Sequence, residues 1–194
     1  MSMIRADHLT FSYAGAQPVF EDVGFVIDTE WKLALVGRNG RGKTTLLQLL
    51  AGRYAYSGNI HASVRFSYFP CEIQDGSCLT REVLQTIAPF AQEWEMLREL
   101  SWLALDEEVL DRPFDTLSQG EQTKVQLAAL FLDEDSFQLI DEPTNHLDVD
   151  AKEELKRALS EYKGSVLLVC HEPEFYEGLV DKIWNLEEYS KLIH

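Results

Sequence analysis

Residues 31–52 constrain the fold more than any other part of the chain. An apolar stretch, Trp31–Val36, runs directly into Gly37-Arg38-Asn39-Gly40-Arg41-Gly42-Lys43-Thr44. A leucine-rich segment, Thr44–Ala51, follows and stops at Gly52. The pattern predicts a strand, a glycine loop and a helix with a glycine stop. In that setting G-x-x-x-x-G-K-[ST] is a phosphate-binding loop. Its glycines let backbone N–H groups curl around phosphate oxygens with no Cβ in the way. The helix N-terminus adds partial positive charge. Lys43 has the reach for β- and γ-phosphates, and the Thr44 hydroxyl suits a Mg²⁺ ion. A turn that merely ends in Lys-Thr would lack the strand before it and the helix after it.

Strands alternating with helices continue along the chain. Ile4–Phe11 alternates, a loop follows at Gly15 and Pro18, and Val23–Ile27 reads as a second strand. Val64–Phe69, Phe137–Ile140 and Ser165–Cys170 are further strands. Leu79–Ala88, Ala91–Leu105 and Gly120–Leu132 read as helices. Ala151, Leu155, Ala158, Leu159 and Tyr162 form one more helical stripe, stopped by Gly164. This succession predicts βαβ units around a parallel sheet, with the early strands and middle helices attached to it.

Composition narrows the class. The 194 residues are 45% apolar and 26% charged, enough for a substantial core without disulfides. No apolar run approaches a membrane span, and MSMIRADHLT has no signal-like apolar core. Cys71, Cys78 and Cys170 are odd in number and scattered, which fits a reducing, cytoplasmic setting rather than a disulfide framework or zinc site. The net charge of −16 argues against a basic surface for nonspecific nucleic-acid binding. Residues 1–60 carry six basic and five acidic side chains, whereas residues 89–160 carry six basic and eighteen acidic. A solvated face explains the acidic half most simply; an acidic docking face is the alternative.

A second chemical site follows from Phe137–Ile140, which delivers Asp141 and Glu142 to a strand end. Parallel sheets bind ligands at the C-terminal ends of their strands. There Asp141 can hold magnesium, directly or through water, and Glu142 can accept a proton from an attacking water. Gln138 interrupts the apolar run, so this strand end is expected to be less buried than usual. Upstream, Ser118 and Glu121 in Ser118-Gln119-Gly120-Glu121 form a capping box for the helix that follows.

Taken in order, the phosphate loop, Leu117-Ser118-Gln119-Gly120-Glu121-Gln122 and Asp141-Glu142-Pro143-Thr144-Asn145-His146-Leu147-Asp148 make the chain, from end to end, similar to the nucleotide-binding domain of ABC ATPases. The resemblance implies an α/β fold, the ABC-type P-loop ATPase domain. It would have a parallel sheet core, an N-terminal antiparallel β subdomain and a small helical subdomain. Residues 1–194 would form one such domain, with core and β subdomain at about 1–70 and 130–194 and the helical part at about 71–129. ATP and Mg²⁺ would be the ligands, and Mg-dependent ATP hydrolysis the activity. Residues Gly37–Thr45 would bind nucleotide, with Thr44 and Asp141 at the metal and Glu142 and His171 catalytic, His171 against the γ-phosphate. Tyr13 matches an aromatic that stacks on adenine, although a half-buried strand aromatic would look the same. Ser118, Gln119, Gly120 and Glu121 would face ATP held by a partner domain, and Asp148 would lie at that interface. One position departs: where the family has a glutamine after Tyr68-Phe69-Pro70, this chain has Cys71, a poor magnesium ligand. Gln74 could substitute if the loop shifts.

The run Asp141–Asp148, DEPTNHLD, resembles the ABC-F class, proteins with two such domains that act on the ribosome. The wording around the motifs looks closest to the branch conferring antibiotic resistance by ribosome protection. The resemblance implies an isolated first domain, monomeric by itself and weak in hydrolysis. Its partners would be the second nucleotide-binding domain of the parent chain and, through the parent, the ribosome, with no membrane insertion. The alternative is the ATPase subunit of an ABC membrane transporter. A P-loop GTPase or small-molecule kinase fits less well: no N-K-x-D occurs, and Ser118–Gln122 would go unexplained.

Overall fold

The structure is a computed structural model and describes residues 2–189. In chain order its elements are β1 (Met3–Ser12), β2 (Pro18–Asp28), β3 (Lys32–Val36), α1 (Lys43–Leu50), β4 (Ser57–Ala62), β5 (Arg65–Phe69), α2 (Thr80–Ile87), α3 (Glu93–Trp102), α4 (Gln119–Phe131), β6 (Ser136–Asp141), α5 (Val149–Glu161), β7 (Val166–Val169), α6 (Pro173–Tyr176), β8 (Lys182–Asn185) and α7 (Leu186–Tyr189). Two short 3₁₀ turns, Glu107–Asp111 and Phe114–Thr116, lead into α4.

The early alternation folds as an antiparallel sheet in the order β2-β1-β4. Ile4, Ala6, Leu9 and Phe11 of β1 point inward, with the polar residues between them mostly outward. The second sheet runs β5-β6-β7-β3-β8, with every pair parallel. Its central strands are buried on both faces, as a parallel sheet covered on two sides requires. The period of two splits their side chains between two cores. Phe137, Leu139, Leu167 and Val169 pack with the antiparallel sheet and with Leu46, Leu47, Leu49 and Leu50 of α1. Ile140, Val166 and Leu168 pack on the other side with α4, α5 and the helical region. That second core runs unbroken into α2 and α3 through Val83, Leu84, Met96 and Leu100.

The expected elements are present, with ends trimmed by caps. The helix expected over Leu79–Ala88 starts at Thr80, where the Leu79 N–H donates to Glu82 Oε2 at 3.0 Å. The one expected over Ala91–Leu105 spans Glu93–Trp102, with the Gln92 N–H donating to Glu95 Oε2 at 2.8 Å. β4 and β8 were not anticipated. In β4 no residue is fully buried, and in β8 only Trp184 is, so neither carries a clear hydrophobic period.

The expectation for Gln138 is overturned. It is completely buried. Its Nε2 donates to the Asp133 carbonyl at 2.8 Å and to the Leu130 carbonyl at 3.2 Å, with the Tyr162 hydroxyl also at 3.2 Å. The carbonyls that close the turn after α4 take the protons of this buried amide, while its Oε1 has no hydrogen-bond partner among the described residues.

Candidate functional site

Three neighbouring strands, β6, β7 and β3, end at one edge of the parallel sheet, the position where such sheets bind ligands. Each delivers part of the predicted site. β3 leads into the glycine loop, β6 ends at Asp141, and His171 follows β7 after Cys170.

The loop needs glycine most at Gly42. Its φ is +90°, and an added Cβ would sit 2.6 Å from Val19 Cγ1. Gly40, at φ +77°, has open space around it. The Lys43 side chain is buried and donates from Nζ to the carbonyls of Gly37 (2.8 Å) and Arg38 (3.0 Å). Desolvation pulls its pKa below the usual lysine value, against the opposing pull of Glu142, Asp141 and Glu187. Thr45 is buried, and its hydroxyl lies 3.0 Å from that of Tyr13. Tyr13 is 40% exposed, and its ring meets those of Phe11 and Tyr54 in T-shaped contacts with centroids 5.0 and 5.6 Å apart. This geometry accommodates both a stacking platform and a half-buried strand aromatic.

The Thr44 hydroxyl donates to Asp141 Oδ1 at 3.1 Å, and the Tyr68 hydroxyl donates to Oδ2 at 2.9 Å. Burial raises the Asp141 pKa, while those two hydrogen bonds and Lys43 oppose the rise. Tyr68 is pushed up by burial and by Asp141, which keeps the phenol a donor. The Thr44 hydroxyl and Asp141 carboxylate are hard oxygen donors of the kind Mg²⁺ takes. Among the described residues no three His, Cys, Asp or Glu side chains form a metal site. A cation here would therefore draw its remaining ligands from phosphate oxygens and water.

Glu142 is held in left-handed backbone, φ +49°. Its Oε1 lies 2.8 Å from His171 Nε2, and its Oε2 accepts from Asn145 Nδ2 at 2.9 Å. The turn following the strand thus aims the carboxylate through a residue three positions on. Tyr13, Val19, Asn39, Gly40, Gly42, Lys43, Thr44, Thr45, Glu142 and His171 line one cleft of about 500 Å³. Gly37, Arg38, Arg41 and Asp141 are not among its lining residues, although Gly37 and Arg38 hold Lys43 through their carbonyls and Asp141 holds Thr44. The Arg38 N–H donates to Glu187 Oε1 at 3.0 Å, and its guanidinium pairs with the same carboxylate at 3.2 Å.

The other predicted group forms a different cleft. Ser118, Gln119, Gly120 and Glu121 share about 470 Å³ with His146, Leu147 and Asp148. The capping box is formed: Ser118 Oγ accepts from the Glu121 N–H (3.2 Å), and Glu121 Oε2 accepts from the Ser118 N–H (2.7 Å). Those bonds and Arg112 hold the Glu121 carboxyl below the usual range. Asp148 caps α5, its Oδ1 accepting from the Ala151 N–H at 2.8 Å.

Neither Cys71 nor Gln74 lines the phosphate cleft. The Cys71 backbone N–H donates to Gln126 Oε1 (2.8 Å), its thiol points at the Tyr68 carbonyl (3.6 Å), and burial pushes that thiol up to about 12. Gln74 lines a separate groove with Ile73, Cys78 and Val83. The sequence reading missed Tyr68, Asn145 and Glu187. Asn145 lies inside the quoted run Asp141–Asp148, and the signal for it was its spacing from Glu142. Tyr68 arrives through strand register and Glu187 from α7, far along the chain, and neither carries a local signal.

The model of the ABC transporter family matches residues 20–145, more than half of the chain. An uncharacterized ABC transporter ATP-binding protein of Bacillus subtilis, YfmM, is 37% identical over 89% of this chain and 34% of its own length. The human ATP-binding cassette sub-family F member 3 is 31% identical over 95% of this chain and 27% of its own. The chain therefore spans about a third or less of the length of these curated relatives. Among solved structures, an ATP-binding subunit of an ABC transporter superposes with a TM-score of 0.77 at 28% identity, covering 94% of this chain and 85% of that one. Among the described residues no helix is long and apolar enough to cross a membrane. With the phosphate loop, the strand-end acids and the capping-box segment set in this fold, the chain belongs to the ABC ATPase family, whose members bind ATP, typically with Mg²⁺, and hydrolyse it.

Proposed function

We propose that this chain is the ATP-binding and ATP-hydrolysing domain of a cytoplasmic ABC-F protein that acts on the ribosome, as a translation factor or by ribosome protection against antibiotics. The observation that carries the reading is the run Asp141–Asp148. It is ABC-F-like in sequence, and it folds so that Glu142 is held between Asn145 and His171 at the mouth of the phosphate cleft. The sub-family F name of the human relative points the same way.

In this reading the loop N–H groups and Lys43 bind the phosphates, and Tyr13 offers its ring to the base. Thr44 and Asp141 hold Mg²⁺, which when bound offsets charge on the β- and γ-phosphates. Glu142 accepts the proton of the attacking water, and His171 orients Glu142 and meets the γ-phosphate. Ser118, Gln119, Gly120 and Glu121 serve a nucleotide held by a second nucleotide-binding domain, with Asp148 at that contact. Their cleft is lined by none of the phosphate-cleft residues, which supports such a division of labour. By itself the chain is then a monomer that binds nucleotide and hydrolyses it slowly. Two copies carrying −16 each repel, although salt screens this beyond ~8 Å.

Cosedimentation of the full-length parent with ribosomes, with Mg·ATP and the Glu142→Gln substitution, tests the ribosome role; no ATP-dependent cosedimentation would reject it. Analytical ultracentrifugation of this chain with Mg·ATP tests the monomer, and a stable homodimer with brisk turnover would overturn it. A second reading, the ATPase subunit of an ABC membrane transporter, is favoured by the solved transporter subunit of similar fold. Copurification of a membrane partner would select it.

A further inference from the structure

The carboxylate of Asp141 is gripped from two sides. One hydroxyl comes from the first turn of α1, at Thr44, and the other from the edge strand β5, at Tyr68. The register between β5 and β6 pairs Tyr68 with Leu139, so the phenol rises on the face that also carries α1 and reaches the strand end. Its ring is fixed in turn. The Arg53 guanidinium lies 4.1 Å from the ring centroid, and the same Arg53 pairs with Glu72 at 3.4 Å. Position 71 contributes nothing to this carboxylate. The Cys71 amide and thiol are engaged with Gln126 and the Tyr68 carbonyl, away from the cleft. We propose that Tyr68 is the positioning residue for the magnesium carboxylate, holding Asp141 from β5 where position 71 supplies no polar side chain to the cleft. The inference rests on the reading of this site as one for Mg·ATP.

The physical reason is that a carboxylate at a strand end can rotate about its last torsion, and each rotation moves the oxygen a cation needs. A single bond from Thr44 leaves Oδ2 free to turn. Two hydroxyls on opposite oxygens fix the plane, and the Arg53 stack fixes one of those hydroxyls. Partners of this kind, one shell out from a metal, typically change metal affinity about 10- to 100-fold when removed. Tyr68→Phe removes the donor and keeps the ring and its stack.

The test is the affinity of this chain for a fluorescent ATP analogue carrying a ribose-linked N-methylanthraniloyl group, measured in EDTA and in excess Mg²⁺. The ratio of the two affinities reports the metal's share alone. Tyr68→Phe is expected to leave the EDTA affinity unchanged and to cut the Mg²⁺ enhancement by about tenfold. An enhancement equal to wild type overturns the inference. So does a loss of equal size in EDTA and in Mg²⁺, which would mark general damage to the cleft. Should Tyr68→Phe fail to fold, Arg53→Gln loosens the ring with the hydroxyl retained. A smaller drop in the same ratio is then expected, and an unchanged ratio overturns the inference. A wild-type chain that binds no nucleotide in either condition would reject the Mg·ATP reading itself, a result visible before any variant is made.

Discussion

The two clefts differ in how their polar groups are satisfied. At the phosphate cleft and directly behind it, side chains from separate elements meet each other, Thr44 and Tyr68 on Asp141 and His171 on Glu142, with Asn145 adding one bond to Glu142 from within the same turn. In the other cleft, Ser118, Glu121 and Asp148 satisfy the first N–H groups of the helices they begin. The first arrangement is tertiary and exists only when three strand ends are adjacent. The second is local and would form in any helix with that sequence. Substitutions in the phosphate cleft should therefore cost function more than stability, and those in the capping cleft should cost some of both.

The largest effect is expected at Glu142. Glu142→Gln keeps the shape and the bond from Asn145 but removes the proton acceptor. In the proposed full-length parent, steady-state hydrolysis should fall about 10²–10⁴-fold while ATP binding persists. Full turnover would move the base elsewhere, with His171 the next residue to examine. Lys43→Ala ranks next. A charge-assisted contact of about 1.5–3 kcal/mol is lost, so ATP affinity by titration calorimetry should fall roughly 10- to 100-fold. Lys43 also ties Gly37 to Arg38 through their carbonyls, so part of the loss comes from a looser loop. Equal affinity in the two proteins would remove Lys43 from the site.

The capping cleft supplies the smaller effects. Ser118→Ala leaves the Glu121 N–H without its acceptor at the start of α4 and should cost about 1 kcal/mol. For a chain of this size that corresponds to a Tm lower by roughly 2–4 °C in calorimetry. An unchanged Tm would mean that solvent replaces the cap and that Ser118 is spared for another purpose.

The same contrast explains what was legible in the sequence. The loop Gly37–Thr44, the Asp141–Glu142 pair and the Ser118–Glu121 box are each contiguous, so their residue types and spacing announce them. The parallel sheet followed from strands alternating with helices. Tyr68 was invisible as a partner of Asp141 because strand register sets that contact across seventy-three positions. Glu187 reaches Arg38 across one hundred and forty-nine. Gln138 misled in the other direction. A glutamine in an apolar run suggests exposure, but carbonyls at the end of α4 were waiting for its amide, and no local pattern shows a tertiary acceptor.

The smallest effect is the one that separates the two explanations of Asp148. As an N-cap it needs only an oxygen that accepts from the Ala151 N–H, and asparagine caps as well as aspartate. Asp148→Asn gives up a favourable charge at a helix N-terminus, worth about 0.3–1 kcal/mol. It also removes one of several crowded negative charges, since Asp150, Glu153 and Glu154 lie within the first two turns. The two terms oppose each other, so the Tm should move by less than about 1 °C, whereas Asp148→Ala should cost about as much as Ser118→Ala. If Asp148 does nothing but cap, ATP turnover of the parent will follow stability and Asp148→Asn will be silent. The proposed contact with a second nucleotide-binding domain predicts otherwise: turnover falls with Asp148→Asn at unchanged Tm, because a carboxylate and an amide present different groups to a partner. A fall in Tm with Asp148→Asn as large as with Asp148→Ala would show that the charge, not the oxygen, holds the start of α5.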